Sequence, residues 1–314
     1  MDFERAPQGA YCELADLLAL RFAARQVNVT SRRRALSHLA GSNRANFRGR
    51  GIDFDEVRSY QPGDDIRAID WRVTARTGNA HTKLFHEERE RPVLVAVDQR
   101  PGMFFGSRDC FKSVLAAHLA ALVAWSALDA GERVGGLVFG ADGHRDLRPR
   151  RSRQSVLGLL ATLCEYNAAL RDPATPAPGA ADLLAKLRRI ARPGSSVFLV
   201  SDLSGLLDEG GREHLFQLSR HTELTLLHCT DPLEETLPPP GRYTISDGDR
   251  RHTLALSDSA LRRRLGAVLA EARAEREALL RQLGIPCIEA STTRSPLALL
   301  RELYGGARQG GSGP

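Results

Sequence analysis

Val93-Leu94-Val95-Ala96-Val97 runs into Asp98 without a polar residue before it. Five consecutive apolar residues suit a strand covered on both faces, the situation of strands in a parallel sheet. Ser196-Val197-Phe198-Leu199-Val200 has nearly the same form and ends at Ser201-Asp202. Between and beyond these runs the pattern alternates. Further strands are expected at 134–139, 223–228 and 286–289, and helices at 108–130, 152–170, 181–191, 212–220, 259–283 and 296–304. A small hairpin is expected from 242–245 and 251–256. The alternation predicts an α/β fold with a doubly wound, mostly parallel sheet. On such sheets ligands bind at the carboxyl ends of the strands, near the point where strand order reverses. Asp98 and Asp202 both fall at strand ends, so the site is expected there.

Upstream, residues 11–26 carry apolar side chains at helical spacing: Leu14, Leu17, Leu18, Phe22 and Val27. A second short helix is expected at 33–39, stopped by Gly41. An Arg/Gly-rich linker follows. Residues 81–88 alternate as an edge strand does, and Pro92 marks a boundary. These readings give three parts: an N-terminal helical arm with its following segment (1–90), the α/β domain (91–305) and a Gly/Ser-rich flexible tail (306–314).

The segment from Phe54 to Arg76 has a different character. It sets Arg58, Arg67, Arg72 and Arg76 beside Asp64, Asp65 and Asp70, with Tyr60 and Trp71 among them and a Pro62-Gly63 turn. Arginine forks pair bidentately with carboxylates and stack on rings, so the composition suits a folded arginine–carboxylate–aromatic network. Such a network either clamps the segment in place or presents a surface to a partner.

With Arg48-Gly49-Arg50-Gly51 before it and Lys83-Leu84-Phe85-His86-Glu87-Glu88 after it, this segment resembles the signature of an uncharacterised bacterial family. That family is catalogued as a domain of unknown function, number fifty-eight. The resemblance runs from about Gly49 to Cys287. Members of the family look like von Willebrand factor A domains with an added N-terminal motif. Their genes commonly neighbour those of MoxR-type AAA+ ATPases, so the resemblance implies such an ATPase as a partner. Many members look membrane-anchored, whereas this chain resembles a soluble branch.

The resemblance also implies where a metal-ion-dependent adhesion site would fall. Its pattern is Asp-x-Ser-x-Ser, a loop threonine and a second aspartate, hard oxygen ligands suited to magnesium. Here the first element reads Asp98-Gln99-Arg100-Pro101-Gly102, and the loop threonine should fall near Gly179-Ala180-Ala181-Asp182-Leu183. Asp98 and Asp202 match, while Arg100, Gly102 and alanines replace the hydroxyl ligands. A guanidinium repels a cation. Arg100 is instead expected to pair with Asp98 or Asp202, which makes the site degenerate and metal-free. Ser107, Ser201 and Ser204 are the nearby oxygens that a rearranged magnesium site would use.

At 314 residues and 42% hydrophobic content the chain can bury a full core. No run has the eighteen or so apolar residues of a membrane span, and Met1-Asp2-Phe3-Glu4-Arg5 lacks the form of a secretory leader. A cytoplasmic location without membrane insertion is expected. Cys12, Cys110, Cys164, Cys229 and Cys287 form no CxxC pair, which argues against a zinc site and suits a reducing compartment. The net charge of +6 is almost all arginine, since Lys83, Lys112 and Lys186 are the only lysines. Basic clusters at Arg32-Arg33-Arg34, from Arg148 to Arg153, and at Arg262-Arg263-Arg264 lack the interleaved aromatics of a base-stacking surface, so no nucleic-acid partner is expected.

Catalytic signatures are missing. There is no phosphate loop, no dinucleotide fingerprint leaving a strand, no GxSxG elbow and no HExxH. A metal-dependent hydrolase built on Asp64, Asp65 and Asp70 is weakened by the interspersed arginines. The expectation is a non-enzymatic adaptor that works with a MoxR-type ATPase on client proteins and carries no cofactor. The alternative is a divalent-metal-dependent ligand-binding domain with a rearranged site at Asp98 and Asp202.

Overall fold

β3 (Val93–Gln99) is buried at all seven positions, because both faces of the sheet around it are covered. In the computed structural model, residues 2–30, 54–61, 69–85, 91–171, 179–246 and 251–305 are described. The helix expected at 33–39, the acidic run 87–90 and the tail 306–314 lie outside them.

In chain order the elements are α1 (Leu14–Ala24), β1 (Phe54–Ser59), α2 (Trp71–Thr77), β2 (His81–Phe85), β3, α3 (Lys112–Asp129), β4 (Val134–Gly140) and β5 (Gly143–Arg150). They continue as α4 (Arg153–Ala169), α5 (Ala180–Ile190), β6 (Ser196–Ser201), α6 (Glu209–His221), β7 (Glu223–Thr230) and α7 (Pro232–Glu235). The last are β8 (Arg242–Ser246), β9 (Arg251–Ala255), α8 (Ser259–Leu283), β10 (Cys287–Ser291) and α9 (Pro296–Tyr304).

The main sheet has the order β10-β7-β6-β3-β4-β5. Every pairing is parallel except β4 with β5. Strand order reverses between β3 and β6, so the switch point lies at the ends of those two strands. Side chains alternate between the faces. Val93, Val95 and Val97 pack under α1, α3, α4 and α9, while Leu94 and Ala96 pack under α5, α6 and the end of α8. The fold is the α/β, doubly wound, mostly parallel sheet that the strand pattern predicts. The edge strand β5 and the short α7 were not anticipated. The sequence Gly-His-Arg-Asp-Leu-Arg-Pro-Arg is half polar and carries a proline, so its strand character comes from pairing with β4.

The arm and the following segment do not belong together. The chain divides into one unit of Met1–Gly41 with Pro92–Pro314, and a second of Ser42–Arg91. The grouping expected from sequence, 1–90, is different from this division. The physical reason is α3, whose buried face extends around almost the whole helix; it needs a cover on the side away from the sheet. α1 supplies it with Leu17, Leu20, Ala23 and Ala24. Trp125 Nε1 donates to the Leu17 carbonyl at 3.1 Å, and Ser126 Oγ donates to that of Val27 at 2.7 Å. Leu14 and Phe22, expected on the apolar face, are instead exposed.

Within the second unit, β1 and β2 pair antiparallel. α2 lies between them in sequence, capped by Asp70, whose Oδ1 accepts from Arg72 N at 3.0 Å and Val73 N at 3.2 Å. Gly78 closes the helix at φ +77°, a left-handed position that favours glycine.

Candidate functional site

β3 and β6 deliver Asp98 and Asp202 to the switch point. Asp98, one residue before the end of β3, is fully buried. Its carboxylate is saturated by its own surroundings. Arg100 donates from its backbone N to Oδ1 at 2.9 Å, from Nε to Oδ1 at 3.0 Å and from Nη2 to Oδ2 at 2.7 Å. Ser201 Oγ donates to Oδ2 at 2.7 Å. Arg100 Nη2 also reaches the Ser204 carbonyl at 2.9 Å, and the guanidinium lies 5.9 Å from the Phe139 ring centre. Burial works against the charge on Arg100, yet the hydrogen bond and charge of Asp98, with Asp202 beyond, raise its pKa above the ordinary value. The expected Arg100 ion pair is therefore made, and Asp98 is the partner.

Asp202 has a different cation. Lys112 Nζ lies 3.1 Å from Asp202 Oδ2 and also bonds Glu234 Oε1. The Lys112 side chain is only 3% exposed and its ammonium sits 5.7 Å from the Phe105 ring centre. Burial again opposes the charge, and Asp202 and Glu234 outweigh it, so the pKa is raised. Glu234 is held by a capping box: Asp231 N donates to its Oε2 at 3.0 Å, while Asp231 Oδ1 accepts from Leu233 N at 3.0 Å. Asp231 is in turn buried, accepting from Ser107 N at 2.8 Å and Thr292 Oγ1 at 2.7 Å.

The loop after β6 is strained to make this arrangement. Leu203 has φ +63°, an uncommon conformation for a non-glycine residue. Its N–H donates to Ser201 Oγ at 3.0 Å, and Ser204 N donates to Asp202 Oδ1 at 3.0 Å. Asp202 presses on Gly102: a Cβ there would meet Asp202 Oδ2 at 3.3 Å. Glycine at the second hydroxyl position thus makes room for the carboxylate. A Cβ on Gly205 would lie 3.3 Å from that of Ala180, so the start of α5 packs against this loop where the threonine ligand was sought.

A divalent cation does not fit this donor set. Magnesium requires near-octahedral oxygen coordination, and the carboxylate oxygens available already serve two built-in cations. Next to Lys112, His228 is buried and its pKa is pushed down to about 4, first by burial and then by Arg276. Lys112, Asp231 and Glu234 were missed in sequence. The Asp231-Pro232-Leu233-Glu234 capping pattern was a legible signal for the last two. For Lys112 the only hint was a lysine in an arginine-rich chain.

The signature segment is placed only in part. Gly63, Asp64, Asp65 and Arg67 lie outside the described residues. Arg58 is on β1, and Tyr60 is half-buried, its N–H bonding the Ala80 carbonyl at 2.8 Å. Asp70 is the cap of α2. Trp71 is 66% exposed, and Arg76 is exposed in the last turn. His118, mid-helix on α3, is a satisfied core histidine, its Nδ1 at 2.9 Å from the Val114 carbonyl. Among the described residues no helix is long and apolar enough to cross a membrane.

An uncharacterised protein of Mycobacterium tuberculosis is 28% identical over 295 residues, covering 93% of this chain and 90% of its own. An uncharacterised Bacillus subtilis protein is 33% identical over 66 residues, 21% of this chain and 15% of its own. Among solved structures, conserved hypothetical protein BatB from Bacteroides thetaiotaomicron matches 68% of this chain and 96% of its own, with 10% identity and TM-score 0.39. A von Willebrand factor type A protein from Catenulispora acidiphila matches 48% of this chain and 35% of its own, with 15% identity and TM-score 0.31. The sequence profile described as "Protein of unknown function DUF58" matches residues 56–276, and the chain belongs to that family.

Proposed function

We propose that the protein is a non-enzymatic binding module, an adaptor that acts with a MoxR-type AAA+ ATPase in the maturation or assembly of client proteins. The observation that supports it is the double neutralisation at the switch point. Asp98 is held by Arg100 and Asp202 by Lys112, so the carboxylates that would otherwise ligate a metal or move protons are spent on holding loops rigid. A rigid, pre-organised face at the strand ends suits recognition, since ordering costs are already met before the partner arrives. The ATPase partner follows from the family resemblance. The exposed Trp71 adds a residue type that dominates interface energies. Asp70, which a metal-dependent hydrolase would need, has its Oδ1 engaged as a helix cap.

The test is reconstitution. The protein is mixed with the MoxR-type ATPase of its own host, with ATP, ADP or no nucleotide, and followed by size exclusion and ATPase rate. Co-elution that depends on nucleotide, or a changed ATPase rate, supports the adaptor reading. Separate elution and an unaltered rate in all three states would sink it.

A further inference from the structure

At the other end of the sheet, the amino ends of β3, β4 and β6 frame a cleft of about 530 Å³. Five arginines from three distant stretches of chain line it: Arg133 ahead of β4, Arg148 and Arg150 on β5, Arg189 on α5 and Arg192 just after it. Asp146 is the one acid among the described lining residues. Arg148, Arg150, Arg189 and Arg192 are exposed and make no ion pair among the described residues. The aliphatic lining of the cleft comes from Pro149 and Ile190, both half-buried, with the buried Leu94 beneath. The backbone beneath is tied down, with Val93 N donating to the Arg133 carbonyl at 2.8 Å and Ser196 N to that of Pro92 at 3.0 Å.

Arg189 has an ordinary explanation, because a cation in the last turn of a helix complements its dipole. Arg148, Arg150 and Arg192 have none of that kind. Gathering like charges on one rim raises the energy of the empty cleft, and an anion that pairs with the forks removes the repulsion. Arginine forks accept phosphate or carboxylate equally well. The lining decides between them, since it offers no aromatic ring on which a base would stack, and it does offer aliphatic surface between the charges.

We propose that this cleft binds an acidic polypeptide segment, its carboxylates on the arginine rim and an aliphatic side chain against Leu94, Pro149 and Ile190. The cleft and the Asp98–Asp202 site lie at opposite ends of the sheet, so this proposal stands whether or not the ATPase partnership does.

The experiment uses the full chain and fluorescence anisotropy with three labelled probes: an eight-residue Glu/Asp/Leu peptide, its Gln/Asn/Leu counterpart, and a thymidine oligonucleotide of the same charge as the acidic peptide. The variant is Arg148→Ser/Arg150→Ser/Arg189→Ser/Arg192→Ser, all at exposed positions, with Arg263→Ser/Arg264→Ser as the control and thermal unfolding as the check on folding. The expected result is binding of the acidic peptide, weakening with salt. The variant weakens it by roughly tenfold or more, as loss of several charge-assisted contacts requires, while the control leaves it unchanged. Three results each overturn the proposal: no binding of the acidic peptide, equal affinity in the variant, or tighter binding of the oligonucleotide, which would make the cleft a nucleic-acid surface.

Discussion

The ammonium of Lys112 lies 3.1 Å from Oδ2 of Asp202, and both side chains are almost entirely buried. Lys112 opens α3 and Asp202 follows β6, so the fold brings a tethered positive charge to a carboxylate ninety positions away. The carboxylates at the two strand ends are thus met by two cations of the chain itself, on Arg100 and Lys112.

Lys112→Met is expected to destabilise the protein by about 3 kcal/mol, because it leaves Asp202 buried without its partner. Urea unfolding at neutral pH measures this. A loss below about 1 kcal/mol would mean that water compensates the carboxylate and that the pair is not structural.

Magnesium is expected to leave the wild-type melting temperature unchanged. Arg100→Ser combined with Lys112→Thr frees Asp98 and Asp202 and supplies hydroxyls in their place. That double variant should gain stability with added magnesium, by about 2.7 kcal/mol when the metal is at 100 times its Kd. Magnesium stabilisation of the wild type, abolished by Asp98→Ala, would instead favour the metal-dependent reading.

His228 predicts a pH dependence. Its folded pKa of about 4 lies below the ordinary 6.5, so the unfolded chain binds more protons between those values. Stability is complete above pH 6.5 and falls as the pH drops towards 4, by at most about 3 kcal/mol. Glu289 acts in the opposite sense, since hydrogen bonding with Glu235 pushes it up to about 7 and its contribution is lost as pH rises through that value. Both glutamates are exposed, so this opposing effect is small. His228→Asn should flatten the acid slope, and equal slopes in the two proteins would remove His228 as the cause.

Trp71→Ala and Asp70→Ala separate recognition from folding. Trp71 is exposed, so its loss should leave unfolding unaltered and weaken partner binding by about 2 kcal/mol if it anchors the interface. Asp70→Ala removes the cap of α2 and should cost about 1 kcal/mol in stability of the second unit. A stability loss in Trp71→Ala would favour the clamp reading.

Leu17→Ala tests where the arm belongs. Leu17 is fully buried against the body of the α/β unit, so the substitution should cost about 2–5 kcal/mol in the main unfolding transition. An unchanged main transition would return the arm to the segment that follows it.

The sequence announced the sheet because strands buried on both faces have to be continuously apolar, and Val93 to Val97 and Ser196 to Val200 are. The helices α8 and α9 carry clear stops and caps, with Gly284 ending the first and Ser295-Pro296 opening the second, and both were read at their observed bounds. β5 was hidden, since Arg145, Asp146 and Arg148 are exposed along it and only its backbone pairing with β4 makes it a strand.

At the site, the sequence placed Asp98 and Asp202 at strand ends and set Arg100 two residues from an acid. Tertiary structure decided how the second acid is met. The two-residue spacing lets Arg100 fold back on Asp98, while Lys112, from the far end of a loop, reaches Asp202. Local spacing is written in the chain, and so are period and caps. Which distant charges meet is set by how α3 packs across the sheet, and no linear pattern of residues encodes that packing.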